Sequence, residues 1–266
     1  MRILSASYGE KPSGQTDHFH DCHQIIYIAA GEAAVTVGGV SYRAGRGSIV
    51  LVSRFERHAI EVESTSYRRY TLSLSSDAGD SVGDTYFLSS VLVNRAAGFR
   101  HVVDLGTYAD GMEQLLRRTV TEYADRAPLW EELTDALLRE ILITLYRAAP
   151  ELYSADRSRS ADIVQEIQMR FERSYHESFS LADLAASYHI STSHLSHLFK
   201  KITGYAPMEH LKACRISAAK QHLAKSDLTV KEIVYRCGFS DESNFCRIFR
   251  QDTGMTPTAF RKKYGK

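Results

Sequence analysis

The stretch from Ile233 to Pro257 decides how the last third of this chain folds, and it reads IVYRCGFSDESNFCRIFRQDTGMTP. A similar stretch lies 50 residues earlier. The matched pairs include Leu195 with Phe245, Phe199 with Phe249, Thr203-Gly204 with Thr253-Gly254, and Pro207 with Pro257. Further upstream, Ser180-Leu181 matches Thr229-Val230 at an offset of 49. Two copies are fewer than a solenoid requires, so the sequence predicts one duplicated unit.

Each copy is predicted to form a helix, a tight turn and a second helix. Ser180 with Asp183, and Thr229 with Glu232, have the spacing of capping boxes, in which a hydroxyl and a carboxylate satisfy the first N–H groups of a helix. Beyond each turn, Ser191 and Ser240 are suited to cap the second helix. The sequence therefore predicts two helix-turn-helix units in tandem.

The second helix of each copy carries an apolar side and a polar side. A polar helix face with hydrogen-bonding groups is what a helix lying in the major groove of DNA requires. The candidate base contacts are Ser193, Ser196 and His197 in the first unit, and Glu242, Ser243, Cys246 and Arg247 in the second. The cations Lys200, Lys201, Arg250 and Lys262 are predicted to contact phosphates.

A connecting helix is predicted between the two copies, beginning at Pro207 and continuing from Met208 to Ala224. At about 1.5 Å per residue it would be roughly 27 Å long. Successive major grooves on one side of B-DNA lie about 34 Å apart. A helix of this length, with its turns, is suited to place two recognition helices one helical turn apart.

Charge is distributed unevenly along the 266 residues, a length that suggests two or three domains. Residues 160–266 contain 16 Lys+Arg and 11 Asp+Glu, a net charge of +5, whereas residues 1–159 have a net charge of −4. The basic segment suggests where a polyanion binds, although ordinary surface variation would also produce this difference. Four cysteines without paired spacing, and no apolar run typical of a signal peptide or membrane span, predict a cytoplasmic protein.

The first third of the chain shows short apolar segments separated by glycines. Strands are predicted over 24–28, 33–37, 40–43, 48–52, 58–63 and 67–74, with Gly38-Gly39 forming a hairpin turn. Many short strands with this punctuation are typical of a β-sandwich or β-barrel.

The order of elements in this part resembles a cupin barrel, on the residues His18-Phe-His20, Gln24, Gly31, Gly47 and His58. In metal-binding cupins the first motif supplies two histidines and a carboxylate, and the second supplies a third histidine. Here Gln24 stands in place of the carboxylate, which removes an anionic ligand, and neither a metal nor another cofactor is predicted. The mouth of a barrel is still a natural ligand site. The predicted effector-binding residues are His18, His20, Gln24, Tyr27 and His58.

The middle of the chain is predicted to be helical. A short helix is expected over 84–93, and two longer amphipathic helices are expected over 108–123 and 129–148. The longer pair would either cover the barrel or pair with a second subunit, and a homodimer contact is favoured. The polar segment 151–160 is predicted to be a linker.

Residues 161–266 resemble the DNA-binding domain of AraC-type transcriptional regulators, on the segment 195–204 and above all on 233–257. The resemblance implies an α+β multidomain protein: a cupin-like effector-sensing barrel over 1–80, a helical dimerisation or cover segment over 81–150, a linker over 151–160, and a tandem helix-turn-helix domain over 161–266. Many relatives have arginine where His197 stands, which implies less stringent reading by the first unit.

The function implied by the resemblance is that of a sequence-specific transcription regulator, not an enzyme, which responds to a small-molecule effector and reads two successive major grooves of promoter DNA. A homodimer is expected, with RNA polymerase as a partner if the protein is an activator. Two alternatives stay open: a metal-dependent cupin enzyme fused to a DNA-binding domain, and a constitutive DNA binder whose barrel is structural. The effector, the operator and the direction of regulation do not follow from the sequence.

Overall fold

A computed structural model describes residues 1–10, 15–75, 91–92, 99–153 and 159–265. The chain divides into two compact units, Met1–Arg157 and Ser158–Lys266. Of the short helix predicted over 84–93, only residues 91 and 92 are described, and residues 154–158 of the predicted linker also lie outside the described ranges.

Two antiparallel sheets build the first unit. The strands are β1 Ile3–Gly9, β2 Gln15–His18, β3 His23–Ala30, β4 Ala33–Val37, β5 Val40–Ala44, β6 Ser48–Val52, β7 His58–Val62, β8 Arg68–Leu74 and β9 Val102–Asp104. One sheet has the order β1-β8-β3-β6-β9, and the other has the order β2-β7-β4-β5. The predicted ranges 33–37 and 48–52 coincide with β4 and β6.

The sequence did not predict strand β1, because most of its side chains are exposed and it shows no clear apolar alternation. It is placed by pairing with β8, where Ala6 lies opposite Leu72 and Tyr8 lies opposite Tyr70. This strand is therefore fixed by hydrogen bonds to a segment more than sixty residues away in the chain.

The central strands β3 and β6 of the larger sheet are buried on both faces. Toward the other sheet, Ile26 of β3 packs in one cluster with Val35 and Ile60. On the opposite face, Tyr27 and Leu72 pack in a second cluster that also contains residues of two helices. A strand buried on both sides reads as a continuous apolar run, which is what β3 and β6 show.

The two helices that contribute residues to this second cluster are α1 (Ala109–Asp125) and α2 (Trp130–Ala148). Met112 and Leu116 from α1, and Ile141 and Leu145 from α2, are fully buried against the larger sheet. The predicted helical pair thus covers the barrel, which was one of its two predicted uses.

The second unit is helical. Its helices are α3 Arg159–Ser174, α4 Leu181–Ser187, α5 Thr192–Thr203, α6 Pro207–Lys225, α7 Val230–Arg236, α8 Glu242–Thr253 and α9 Pro257–Tyr264. Helix α6, of 19 residues, is about 28 Å long at 1.5 Å per residue. It contacts helices of both repeats, and its residues Leu211, Ile216, Ala219 and Leu223 are buried. The predicted fold class, a β-barrel with a helical pair followed by two helix-turn-helix units on a connecting helix, is confirmed.

None of the helices in the described part of the chain is both long enough and apolar enough to cross a membrane.

Candidate DNA-binding surface and histidine cluster

The two recognition helices, α5 and α8, end in the same way, which explains the residues that repeat. Thr203 Oγ1 donates to the carbonyl oxygen of Phe199 at 2.8 Å, and Thr253 Oγ1 donates to that of Phe249 at 2.8 Å. The next residue in each copy is a glycine in the left-handed region, with φ of 86° and 71°. A glycine takes this conformation without the steric cost of a Cβ, so each helix stops at the same place.

The helix starts also follow the sequence, with two exceptions. Thr229 and Glu232 form the complete capping box: Thr229 N donates to Glu232 Oε2 at 2.7 Å, and Glu232 N donates to Thr229 Oγ1 at 3.2 Å. This hydrogen bonding lowers the pKa of the Glu232 carboxyl. Ser180 accepts from the second and third N–H groups of α4, at 3.2 and 3.4 Å, but the predicted capping box with Asp183 does not form among the described residues.

The prediction that Ser240 caps the second recognition helix is wrong. Asp241 is the N-cap of α8, because its Oδ1 accepts from Asn244 N at 2.6 Å. Ser191, which caps α5, lies exactly one copy earlier, at the offset of 50. The connecting turn therefore has one more residue in the second copy than in the first, and the extra residue moves the cap from Ser240 to its neighbour.

The turn of each unit contains one residue with positive φ. In the second unit this is Gly238, with φ of 77°, and in the first it is His189, with φ of 56°. A Cβ at Gly238 would lie 2.8 Å from the carbonyl oxygen of His176, so the glycine permits both the turn and a close backbone approach. The first unit adopts the same turn with a histidine that is exposed.

The polar faces of both recognition helices point outward. Ser193, His197, Glu242, Ser243 and Arg247 are exposed, whereas Ser196 and Cys246 are half-buried. Burial raises the pKa of the Cys246 thiol, with smaller contributions from the carboxylates of Glu242 and Asp241, so this side chain is neutral at physiological pH. All four predicted phosphate contacts, Lys200, Lys201, Arg250 and Lys262, are exposed as well.

Two side chains on α8 hold Arg247 in place. Arg247 Nη2 donates to Asn244 Oδ1 at 2.9 Å, and Arg247 Nη1 donates to Gln251 Oε1 at 3.2 Å. The partners lie three residues before and four residues after the arginine, where helical neighbours meet on one face. Asn244 and Gln251 were not predicted as functional residues, although their spacing from Arg247 is visible in the sequence.

Three histidines converge in the barrel. The ligand nitrogens of His18, His20 and His58 all lie within 4.8 Å of one another. His18 Nε2 and His20 Nε2 are 2.9 Å apart, and the ring centroids of His18 and His58 are 4.4 Å apart. His58 is only 1% exposed, while the other two are half-buried. His18 lies opposite His58 in the pairing of β2 with β7, which is why residues 40 apart in the chain meet.

The connection between β6 and β7 packs around this cluster. His58 Nδ1 lies 2.9 Å from the carbonyl oxygen of Glu56, and Phe55 N donates to the carbonyl oxygen of His20 at 2.8 Å. The buried carboxylate of Glu56 also lies 3.5 Å from Nε2 of His101, which comes from the segment before β9. Sequence reasoning did not find the contact between Glu56 and His101, because no local pattern links the two residues.

Gln24 and Tyr27 lie on opposite faces of β3. Gln24 is on the face toward the other sheet, opposite Val52, and within the described residues its buried Oε1 has no hydrogen-bond partner. Tyr27 is fully buried on the helix side, where its hydroxyl donates to the carbonyl oxygen of Ala109 at 3.0 Å. Burial raises the pKa of Tyr27 to about 12. Tyr27 is therefore not part of the histidine cluster, because strand alternation turns its side chain to the opposite face of β3.

A barrel with three converging histidines, followed by two helix-turn-helix units, is the arrangement of a two-part transcription regulator. The chain matches a family model described as an AraC-like ligand binding domain over residues 10–142, and one described as a helix-turn-helix domain over residues 184–263. The first model alone spans half of the chain. The protein belongs to the AraC family of transcription regulators, with a ligand-binding domain and a DNA-binding domain.

Individual relatives agree with this assignment. The transcriptional activator RhaS of Yersinia pestis bv. Antiqua (strain Angola) is 24% identical over 267 residues, which cover 93% of this chain and 89% of RhaS. YijO of Escherichia coli (strain K12), an uncharacterized HTH-type transcriptional regulator, is 36% identical over 107 residues, which cover 40% of this chain and 38% of YijO. Both relatives are named as transcription regulators, which does not favour the alternative of a metal-dependent enzyme.

Solved structures share the fold over the whole chain. ToxT from Vibrio cholerae strain SCE256, determined with an unsaturated fatty acid bound, has a TM-score of 0.60 at 16% identity and covers 98% of this chain and 95% of ToxT. The apo K231A variant of ToxT gives a TM-score of 0.62 at 15% identity and covers 99% of this chain and 98% of that protein.

Proposed function

We propose that this regulator reads two successive major grooves of promoter DNA with α5 and α8, and that a small molecule bound in its barrel controls the outcome. The observation that carries the proposal is the pair of outward polar helix faces mounted on α6. Both units of the tandem pack on that single helix of about 28 Å, which is comparable with the spacing of about 34 Å between successive grooves.

Base readout is assigned to the exposed polar face of each recognition helix. In the second unit, Arg247 carries the main contact, because an arginine donates two parallel hydrogen bonds to guanine O6 and N7. Its bonds to Asn244 and Gln251 fix the guanidinium along the helix before DNA arrives, which reduces the entropy lost on binding. In the first unit, His197 takes the equivalent position and makes a weaker contact, because an imidazole cannot donate the two parallel hydrogen bonds of a guanidinium.

Phosphate contacts position the two helices. Lys200, Lys201 and Arg250 occupy the last turns of α5 and α8, and Lys262 occupies the last turn of α9. Such cations supply affinity that does not depend on sequence and that falls as salt rises.

The effector site is assigned to the barrel end that contains His18, His20, Gln24 and His58. These side chains offer nitrogen and oxygen atoms that suit a small polar ligand, and the buried Oε1 of Gln24 lies on the inward face. A buried polar atom without a partner costs free energy that a bound ligand would recover. Tyr27 is excluded from this assignment, because it faces the helices.

The interface of a homodimer is assigned to α2. One face of this helix is buried against the barrel, while some apolar residues on and next to the helix are exposed. Leu133 of α2 is 40% exposed, and Leu129, which directly precedes the helix, is 73% exposed. Replacing Leu133 with Glu is expected to shift the full-length protein from dimer to monomer in light scattering, without lowering its helical content. A wild-type protein that is already monomeric at assay concentrations would contradict this assignment.

The test of the proposed function begins with selection of bound fragments from genomic DNA by the full-length protein. Selected fragments are expected to share two motifs separated by about one helical turn, roughly 10 base pairs. Binding to such a fragment is then measured with and without extracts of small molecules. Enriched DNA that lacks a paired motif would refute the double reading, and affinity and transcription that no small molecule changes would favour a constitutive binder.

A further inference from the structure

We infer that His18, His20 and His58 bind one late first-row divalent transition metal ion, with Gln24 as a further ligand. The inference deepens the proposed effector site, because it names the class of ligand that the site takes. Among the residues that the structure describes, these histidines form the one group of three metal-ligating side chains whose ligand atoms converge in this way.

The separations suit a metal ion. Zinc binds imidazole nitrogen at about 2.0–2.1 Å, which places two ligands of a tetrahedral site roughly 3.4 Å apart. The three histidine nitrogens lie within 4.8 Å of one another, and one pair is 2.9 Å apart. Since His18 and His20 are only half-buried, small side-chain rotations would bring all three to the required distance.

The hydrogen bond of His58 determines which of its two ring nitrogens carries the proton. A carbonyl oxygen only accepts hydrogen bonds, so the 2.9 Å contact with Glu56 O requires the proton on Nδ1 of His58. The neutral ring then carries its lone pair on Nε2. A ligating histidine whose other nitrogen donates to a backbone carbonyl is the usual arrangement at metal sites.

Gln24 supplies the second and independent observation. Its side chain is 7% exposed, and within the described residues Oε1 has no hydrogen-bond partner. Gln24 pairs with Val52 at the end of β6, and the connection 53–57 leads from there directly to His58. The amide oxygen therefore lies at the same end of the barrel as the imidazoles, on the face toward the opposite sheet.

The ligand chemistry selects the metal. Imidazole nitrogens suit Zn²⁺, Ni²⁺ and Cu²⁺, whereas Mg²⁺ and Ca²⁺ prefer oxygen ligands. Three imidazoles and an amide are all neutral, so the bound ion keeps its full double charge. A site of this kind also leaves a position open for an anionic or polar group of a small molecule.

Metal binding is tested on the full-length, tag-free, metal-depleted protein by titration with Zn²⁺ and by the visible spectrum of the Co²⁺ form. We expect one ion per chain that survives gel filtration. The substitutions His18→Ala and His20→Ala should each abolish stoichiometric binding, whereas the control His194→Ala, an exposed histidine of α5, should leave it unchanged. The substitution Gln24→Glu restores an anionic ligand of nearly the same shape and should tighten Zn²⁺ binding.

Trp130 fluorescence and circular dichroism establish that each variant is folded. Less than half an equivalent of metal on the folded wild-type protein, or stoichiometric binding that survives both His18→Ala and His20→Ala, would overturn the inference. A sulfur-to-cobalt charge-transfer band would also overturn it, because it would assign the ion to a cysteine. Metal binding is measured without DNA, so its failure is distinguishable from failure of the proposed effector response, which is measured on DNA.

Discussion

Replacing Arg247 with alanine tests the assignment of base readout to the second recognition helix. A guanidinium has five N–H donors, of which Asn244 and Gln251 occupy two. The remaining three include the pair needed for a bidentate contact with guanine. Such a contact contributes about 1–3 kcal/mol of discrimination, so the dissociation constant for a selected DNA fragment should rise by about 5- to 150-fold.

The assay is fluorescence anisotropy of the full-length protein on a selected fragment and on random DNA of the same length, at one fixed salt concentration. Arg247→Ala should weaken binding to random DNA much less than binding to the selected fragment. Arg247→Lys is the matched control, since it keeps the charge but loses the planar fork, and it should lose discrimination while keeping affinity for random DNA. Equal losses on both DNAs for Arg247→Ala would refute the assignment to base readout.

Three further substitutions test the DNA-binding surface and the turn before the second recognition helix. Asn244→Ala removes one of the two bonds that hold Arg247, and its loss of specific affinity should be smaller, about 0.5–1.5 kcal/mol in the same assay; a loss larger than that of Arg247→Ala would show that Asn244 is itself the main reader. Lys200→Ala should weaken binding to all sequences alike and reduce the slope of log K against log salt by about 1, and an unchanged slope would argue against a phosphate contact. Gly238→Ala should lower the urea midpoint followed by circular dichroism, because φ of 77° costs a residue with a Cβ about 1–2 kcal/mol and the added atom would lie 2.8 Å from the carbonyl oxygen of His176; an unchanged midpoint would show that the turn relaxes at no cost.

The two recognition helices differ in how firmly the side chains proposed to contact bases are held. On α8, Arg247 is fixed by two side chains of its own helix. On α5, the aligned residue His197 is exposed, and the residue four positions later is Lys201, which cannot accept a hydrogen bond. The structure thus gives a physical basis for unequal contributions from two units that share one backbone plan.

The histidine cluster and the helix pair belong to the same unit, but they lie on opposite faces of β3 because its side chains alternate. Residues such as Gln24 face the other sheet, whereas Tyr27 faces α1 and donates to Ala109 O. The larger sheet therefore lies between the histidine cluster and the helix pair. Replacing Tyr27 would disturb the packing of α1 and leave the histidine cluster unchanged.

The sequence by itself determined the helical unit in considerable detail. The hydrogen bonds of a helix join residues four apart, so residues close in the sequence determine its periodicity, caps and ends. The capping box of Thr229 and Glu232 and the connecting helix that begins at Pro207 could be predicted for that reason. The cap at Asp241 was missed only because one extra residue in a turn shifts it by one position.

Only the tertiary structure decided which side chains meet in the barrel. Sheet pairing joins residues far apart in the chain, and moving the register by one residue turns every side chain to the other face. Strand β1, the helix-facing position of Tyr27 and the contact of Glu56 with His101 all depend on such pairings. The sequence contained the residues of the site, but the antiparallel register that sets His18 opposite His58 is what brings their rings within reach of one ion.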